Sequence, residues 1–396
     1  MTQALDGIRV VDFSWQAAGP FCTMLLADNG AEVIKVENPE SGGDPIRRLG
    51  PPFAGGESAY FLCLNRNKKS VTLNLKHPRG SAIARELCRS ADVVIENFKV
   101  GTMERLGLGF DALAEANPRL VYCSITGYGR TGPLRDRPAF DVVMQGFGGL
   151  MSFTGEPDGQ PMRVGLAIID YTAGMFAALG ITMALMARSL TGRGQRVDTS
   201  LLETTLGWLN IIAANYLIGG EVARRHGVGH PNAVPYQTFR TKDTPLIIGI
   251  LQDDHWQRFC RVLGAEHLAS DPRFATNADR VEHRGVLIPL LQDILLGRTA
   301  AEWLAALQAA EIVAGPIHTI DQVFSHPQVR AREMVLEVEH PTAGAIKLVG
   351  FPLKFSGTPS RIGAPPPLLG QHTEAVLGDL GYSAAEVAAL RAEGAV

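Results

Sequence analysis

The sequence predicts an α/β fold built on a parallel sheet with helices on its faces. Three observations carry this. "IRVVDF", "FCTMLLADNG" and "AEVIKVE" run strand, helix, strand within the first forty residues, the spacing of a βαβ unit. The same alternation recurs downstream. The chain is also 396 residues long and 46% hydrophobic, enough for more than one core.

Taken in order, "SWQAAGP" is a turn bounded by Gly and Pro, and the first helix stops at Asn29-Gly30. "SVTLNL" is a strand, and "PRGSAIARELCRSA" a helix with Pro78 near its start. "DVVIENF" is a strand, and "TMERLGLGFDALAEANP" reads as one helical stretch. "RLVYCSITGYG" is a strand entering a glycine loop. A helix is expected over 171–190, then a short strand and a second apolar helix in "RGQRVDTSLLETTLGWLNIIAANYL". The character changes near residue 220. "GGEVARRHGVGHPNAVPYQTF" reads as a linker or active-site loop. Strand-plus-helix segments from "PLIIGILQDDHWQRFC" onward read as a smaller second domain. The tail carries strand, a proline cluster and a short helix.

Composition excludes several functions. Charged residues are 19% and the net charge is -3, so nucleic-acid and anionic-membrane binding are not expected. The five cysteines lie far apart with no CxxC, which argues against a zinc site or a disulfide framework and for reduced thiols in the cytoplasm. "MTQALDGIRVVDFSW" has no signal segment. There is no GxGxxG after the first strand, no Walker loop, no GxSxG elbow and no HExxH. "HGVGH" is too glycine-rich to fix two metal ligands, and no metal is expected.

One charge stands out. Asp170 interrupts the apolar run "RVGLAIIDYTAGMFAALGITMALMAR". An unpaired carboxylate there is costly. It could be a helix N-cap, held by orphan N–H groups and the helix dipole. It could equally be a carboxylate presented to a ligand, with nearby N–H groups for a reacting oxygen. Residue types alone leave both readings open.

Together, "GIRVVDF…AGPFCTMLLADNGAEVIKVE", Gly43-Asp44 followed by Arg47, "NRNKKSVTLNLK", "ADVVIENFKVGTMERLGLGFDAL", "NPRLVYCSITGYGRTGP", "FDVVMQGFGGLMSFTGE", "DYTAGMFAALGI", "TGRGQRVDTSLLE", "AGPI" and "LGQHTEAVLGDLGY" resemble the class III CoA-transferases in order from residue 5 to about 382. The α-methylacyl-CoA racemases are related. The resemblance implies a Rossmann-like large domain formed by N- and C-terminal parts (1–215 and 331–396). It also implies a linker and small α+β domain (216–330) and an interlocked homodimer.

It further implies that Asp170 is the nucleophile, passing through a mixed anhydride and an aspartyl-CoA thioester. Acyl-CoA is then a substrate, with no tightly bound cofactor. Gln16, Ala17, Leu73, Leu75, Lys76, Asn97, Phe98, Arg105, Leu106 and Arg137 match the CoA site, the cations suiting its phosphates. Arg47, or Arg48 beside it, is matched to a substrate carboxylate. Phe140 and Asp141 flank the substrate, and "GILQ" (Gly249 to Gln252) aligns with a glycine-rich oxyanion loop in the relatives.

Racemases of this superfamily carry His where Phe140 stands, and two-sided proton transfer needs that second base. Transfer is therefore favoured, with a racemase or epimerase as the alternative. The expected substrates are succinyl-CoA and a malate- or citramalate-like dicarboxylate. Carnitine-like, bile-acid and aromatic acids stay open.

Overall fold

Val10-Val11, Val33-Ile34 and Val93-Val94-Ile95 are buried on both faces of their strands, as expected for a sheet sandwiched between helices. The computed structural model of the protein describes residues 2–396. Its central sheet has six strands: β1 (Arg9–Asp12), β2 (Glu32–Glu37), β3 (Lys68–Thr72), β4 (Val93–Glu96), β5 (Val121–Thr126) and β6 (Arg196–Ser200). All pairs are parallel, in the order β3-β2-β1-β4-β5-β6. That is the order of Rossmann-type sheets, which bind ligands beyond the strand ends where the order reverses, here between β1 and β4.

Alternate strand residues feed two cores. Val10, Val33, Val93 and Val121 face α1 (Ala18–Asp28) and α4 (Ile168–Thr191). Between these two helices in the chain lie α2 (Pro78–Arg89) and α3 (Asp141–Phe147), and α5 (Leu201–Gly219) follows them. Val11, Ile34, Val94 and Tyr122 face the opposite side. There Ile83 and Leu87 of α2 meet Val376, Leu377, Val387 and Leu390 from the C-terminal part of the chain. Each fully buried aliphatic side chain contributes about 2 kcal/mol, so the tail completes this core.

The chain divides into two compact units. The first is Met1–Leu150, Val164–Gly219 and Pro327–Val396, and the second is Met151–Arg163 and Gly220–His326. The second holds an antiparallel sheet of β7 (Tyr236–Phe239), β8 (Leu246–Gly249) and β9 (Val313–Pro316), with β8 central. α6 (Asp253–Leu263), α7 (Arg284–Leu295) and α8 (Ala300–Ala309) pack Trp256, Phe259, Leu291 and Trp303 on it. Thr299 and Glu302 form a capping box at the start of α8. The C-terminal part of the first unit contains a hairpin of β10 (Val335–His340) and β11 (Gly344–Val349), then α9 (Thr373–Asp379) and α10 (Ala384–Ala392).

Two local expectations change. The stretch read as one helix after Thr102 is two short ones, Thr102–Arg105 and Phe110–Ala116. Gly107, at φ +68°, breaks it. The chain then folds back so tightly that a Cβ at Gly109 would lie 2.9 Å from Glu104 Cγ. The long helix starts at Ile168 rather than 171, which moves Asp170 inside it. By length and composition, α4 and α5 are long and apolar enough to cross a membrane; Ile169, Ala173, Ala177 and Ile181 of α4 are nevertheless packed in the sheet core.

Candidate active site

Two adjoining cavities open at the carboxyl ends of the strands, at the β1/β4 reversal. Trp15 and Phe98 line both. These rings meet edge to face, 5.2 Å between centroids.

The first cavity, about 510 Å3, is lined by Leu73, Leu75, Lys76, Phe98, Arg105 and Leu106, six of the residues matched to CoA. Its walls are apolar with cations among them, which suits a nucleotide whose phosphates need Arg and Lys. The second, about 390 Å3, takes in Gln16, Ala17, Asn97, Phe98, Arg137, Phe140 and Asp170. Lys99 and Arg135 line it as well. The sequence reading did not single these two out, because surface cations are the default.

Asp170 is the third residue of α4, not its N-cap. Ala167 is the N-cap and supplies no side-chain bond. The capping is done from elsewhere. Asp141, at the start of α3, accepts from Ile169 N–H at 2.7 Å and from Asp170 N–H at 3.4 Å. Gln145 Nε2 donates to Asp141 Oδ1 at 2.6 Å, and its Oε1 accepts from Val164 N–H at 2.8 Å. Asp141 is thus buried, bonded and positioned by its own helix.

The dipole was expected to hold Asp170 ionised. Instead burial, with the Asp141 charge added, pushes its carboxyl up to about 7. Among the described residues no donor reaches the Asp170 carboxylate. Other buried acids are paired. Asp28 meets Arg66 at 2.7 Å, and Glu37 is held at about 2 against burial by the Arg47 guanidinium and Lys35. Asp170 is the carboxylate left for a ligand.

Arg47 does not serve a substrate. Its guanidinium is buried, bonded to Glu37 at 2.7 and 2.8 Å and to Glu57 at 3.3 Å, and lies over the Phe61 ring. Two carboxylates and the Pro367 carbonyl take four of its five N–H donors, and the Phe61 ring covers its face. Arg48 is exposed and bonds the Ser41 and Gly42 carbonyls. Gly249 ends β8 and Gln252 is the N-cap of α6, both in the second unit.

With that geometry in place, one further observation decides the family: residues 5–373 match CoA-transferase family III. The chain belongs to CoA-transferase family III. The fold described above is thereby that of a CoA-transferase. The succinyl-CoA:glutarate CoA-transferase of Mus musculus is 42% identical over 94% of this chain and 85% of its own length. The succinate–glutarate CoA-transferase of Agrobacterium fabrum is 42% identical over 95% of each chain. A crystal structure of a CAIB/BAIF family protein from Brucella suis superposes with a TM-score of 0.85 at 39% identity, over 96% of this chain and all of that one.

Proposed function

We propose that this CoA-transferase moves CoA from succinyl-CoA to a small dicarboxylic acid through Asp170. Glutarate is the first acceptor to test, and malate- and citramalate-like acids follow. The observation that carries the mechanism is the unpaired Asp170 carboxylate in a cavity with Gln16 and Arg137. The substrate class rests on the names of the two relatives. The cations Lys99, Arg135 and Arg137 support it, because a second carboxylate needs a positive partner.

The Asp170 carboxylate attacks the thioester carbonyl, and the C–S bond breaks. CoA thiolate leaves, and a mixed anhydride remains. The thiolate then attacks the aspartyl carbonyl of that anhydride, forming aspartyl-CoA and releasing succinate. The acceptor carboxylate attacks aspartyl-CoA and expels the thiolate. Thiolate attack on the acceptor's carbonyl in the second anhydride gives the new thioester and restores Asp170. Two easy acyl exchanges replace one difficult one. α1 begins beside the same cavity with no side-chain cap on its first turn, so its N–H groups are available to a developing oxyanion. Phe140 stands 67% exposed with no titratable group, which supports transfer over racemisation.

The test is a panel of CoA donors and free acids read by mass spectrometry, with hydroxylamine added to trap Asp170. Succinyl-CoA with glutarate should give glutaryl-CoA, and the Asp170 peptide should carry the hydroxamate mass. Label at any other residue, or exchange with monocarboxylic acids only, would refute the proposal.

A homodimer is part of this reading. α3, α4 and α5 leave Val142, Phe147, Met186, Leu190, Leu217 and Ile218 exposed. Apolar surface on this scale marks an interface. Light scattering should give twice the 42.5 kDa chain mass; a monomer at micromolar concentration would exclude it. The five free cysteines suit a cytoplasmic setting.

A further inference from the structure

The turn from Ser14 to Gln16 lies between the two cavities, and the side chains of Asp12, Lys35, Asp44 and Asn97 hold it. Ser14 N–H donates to Asp12 at 2.8 Å. The Ser14 carbonyl accepts from Lys35 Nζ at 2.7 Å. Trp15 is bonded at both ends by Asn97, whose Oδ1 accepts from Trp15 N–H at 3.0 Å while its Nδ2 donates to Trp15 O at 2.8 Å. Gln16 N–H donates to Asp44 Oδ1 at 3.0 Å. Gln16 itself sits at φ +66°, a left-handed conformation that a non-glycine residue adopts only when its surroundings impose it.

What imposes it is a buried pair. Lys35 is 0% exposed in the middle of β2, and its ammonium lies 2.9 Å from Asp44 Oδ2. Asp44 is fixed in turn: its N–H donates to Glu37 at 3.0 Å, and Glu37 is gripped by Arg47. Burying a lysine and a glutamate of β2 with an aspartate from the turn that follows is seldom a net gain in stability. The chain of contacts ends at the residue beside Asp170's cavity.

We infer that Lys35 and Asp44 are positioning residues for acyl transfer, holding the Gln16 backbone in its left-handed turn so that the Gln16 side chain faces the cavity containing Asp170. Their effect on the second cavity runs through Gln16, which bonds Asp44 and lines that cavity. This rests on the Asp170 mechanism proposed above. It predicts that the buried pair governs turnover, beyond any change in the grip on CoA. Lys35 and Asp44 also line the first cavity, with Leu73, Lys76 and Arg105, whereas Gln16 lines the second.

The experiment compares wild type, D44N, Q16A and the double variant D44N/Q16A with succinyl-CoA and glutarate. D44N keeps the size and an acceptor oxygen but removes the charge facing Lys35. Expected is a loss of about tenfold to a hundredfold in kcat, the scale of an ångström misplacement, in addition to any rise in KM for succinyl-CoA. In the Q16A background D44N should cause no further loss, because coupled residues are not additive. Multiplying losses, or a D44N effect confined to KM, would overturn the inference.

Amide hydrogen exchange on the wild-type enzyme gives a reading that needs no variant to fold. The Gln16 amide should be protected, whereas exchange as fast as the exposed loop at Gly56 would overturn the inference. The hydroxylamine trap separates two failures. No Asp170 adduct in wild type sinks the mechanism and the clamp together. An adduct with wild-type turnover in D44N sinks the clamp alone.

Discussion

Asp170→Asn abolishes CoA transfer, lowering kcat by roughly 10⁴-fold or more, and raises stability at pH 8. The loss follows from removing the attacking oxygen while leaving the cavity's size unchanged. The stability gain follows from the raised carboxyl. Its value is 3.8 in the unfolded chain and about 7 in the fold, so the folded state binds this proton more tightly. That contribution is fully present below about pH 4 and is lost as pH rises through about 7. Asparagine stays neutral throughout. The variant should therefore melt higher than wild type at pH 8, by an amount bounded at roughly 4 kcal/mol, and with wild type near pH 4. The same titration shapes the rate. Wild-type kcat/KM should fall as pH drops below about 7, because a protonated carboxyl is no nucleophile. In D141N the like charge is gone while burial remains, so that acid limb should move to lower pH. Transfer in D170N near the wild-type rate, or an acid limb unmoved in D141N, would contradict the assignment. Calorimetry at the two pH values tests the stability half independently.

The parallel sheet was legible because its strands are apolar on both faces and alternate with helices of ordinary length. The helix break at Gly107 was legible only in hindsight. Three glycines within nine residues were outweighed by helix formers around them, and the fold-back depends on Glu104 lying where Gly109 must pass. Asp170 was found because a charge in an apolar run is conspicuous. Its partner Asp141 is 29 residues away and has no local signature. Arg47 was misjudged for the opposite reason: a surface-looking "PIRR" gives no hint that Glu37 and Glu57 converge on it. Lys35 and Glu37 did carry a signal. "AEVIKVE" places three charges, Glu32, Lys35 and Glu37, in a strand that must be covered on both faces, the same anomaly that exposed Asp170. The chemistry itself came from the family's motifs, since composition and periodicity say only that a carboxylate can sit there.

A second substitution should unfold much of this site without touching it. Gly174 lies one turn beyond Asp170 on α4, where that helix crosses α1. A Cβ there would sit 2.5 Å from Ala18 O and 3.2 Å from Cys22 N. Both are backbone atoms, so no rotamer change can make room. Phe21 and Tyr171 stack edge to face beside the crossing, 5.1 Å between centroids, and resist any slide. Gly174→Val must therefore push the start of α1 away, and that end carries Gln16 and Ala17 into the cavity. Overpacking of this kind costs about 1–3 kcal/mol or more, which lowers the melting temperature by several degrees. Turnover should fall further than stability predicts, since the displaced turn faces Asp170. Gly378, in the last turn of α9, is the contrast. Nothing lies within 4 Å of a Cβ there, so Gly378→Ala should be neutral or gain up to about 1 kcal/mol from helix propensity. Opposite signs for the two substitutions, read by thermal melts and kcat on the same preparations, are what the close crossing requires. Equal tolerance at both positions would mean that α1 and α4 are not locked together and that the cavity beside Asp170 is not held by their contact.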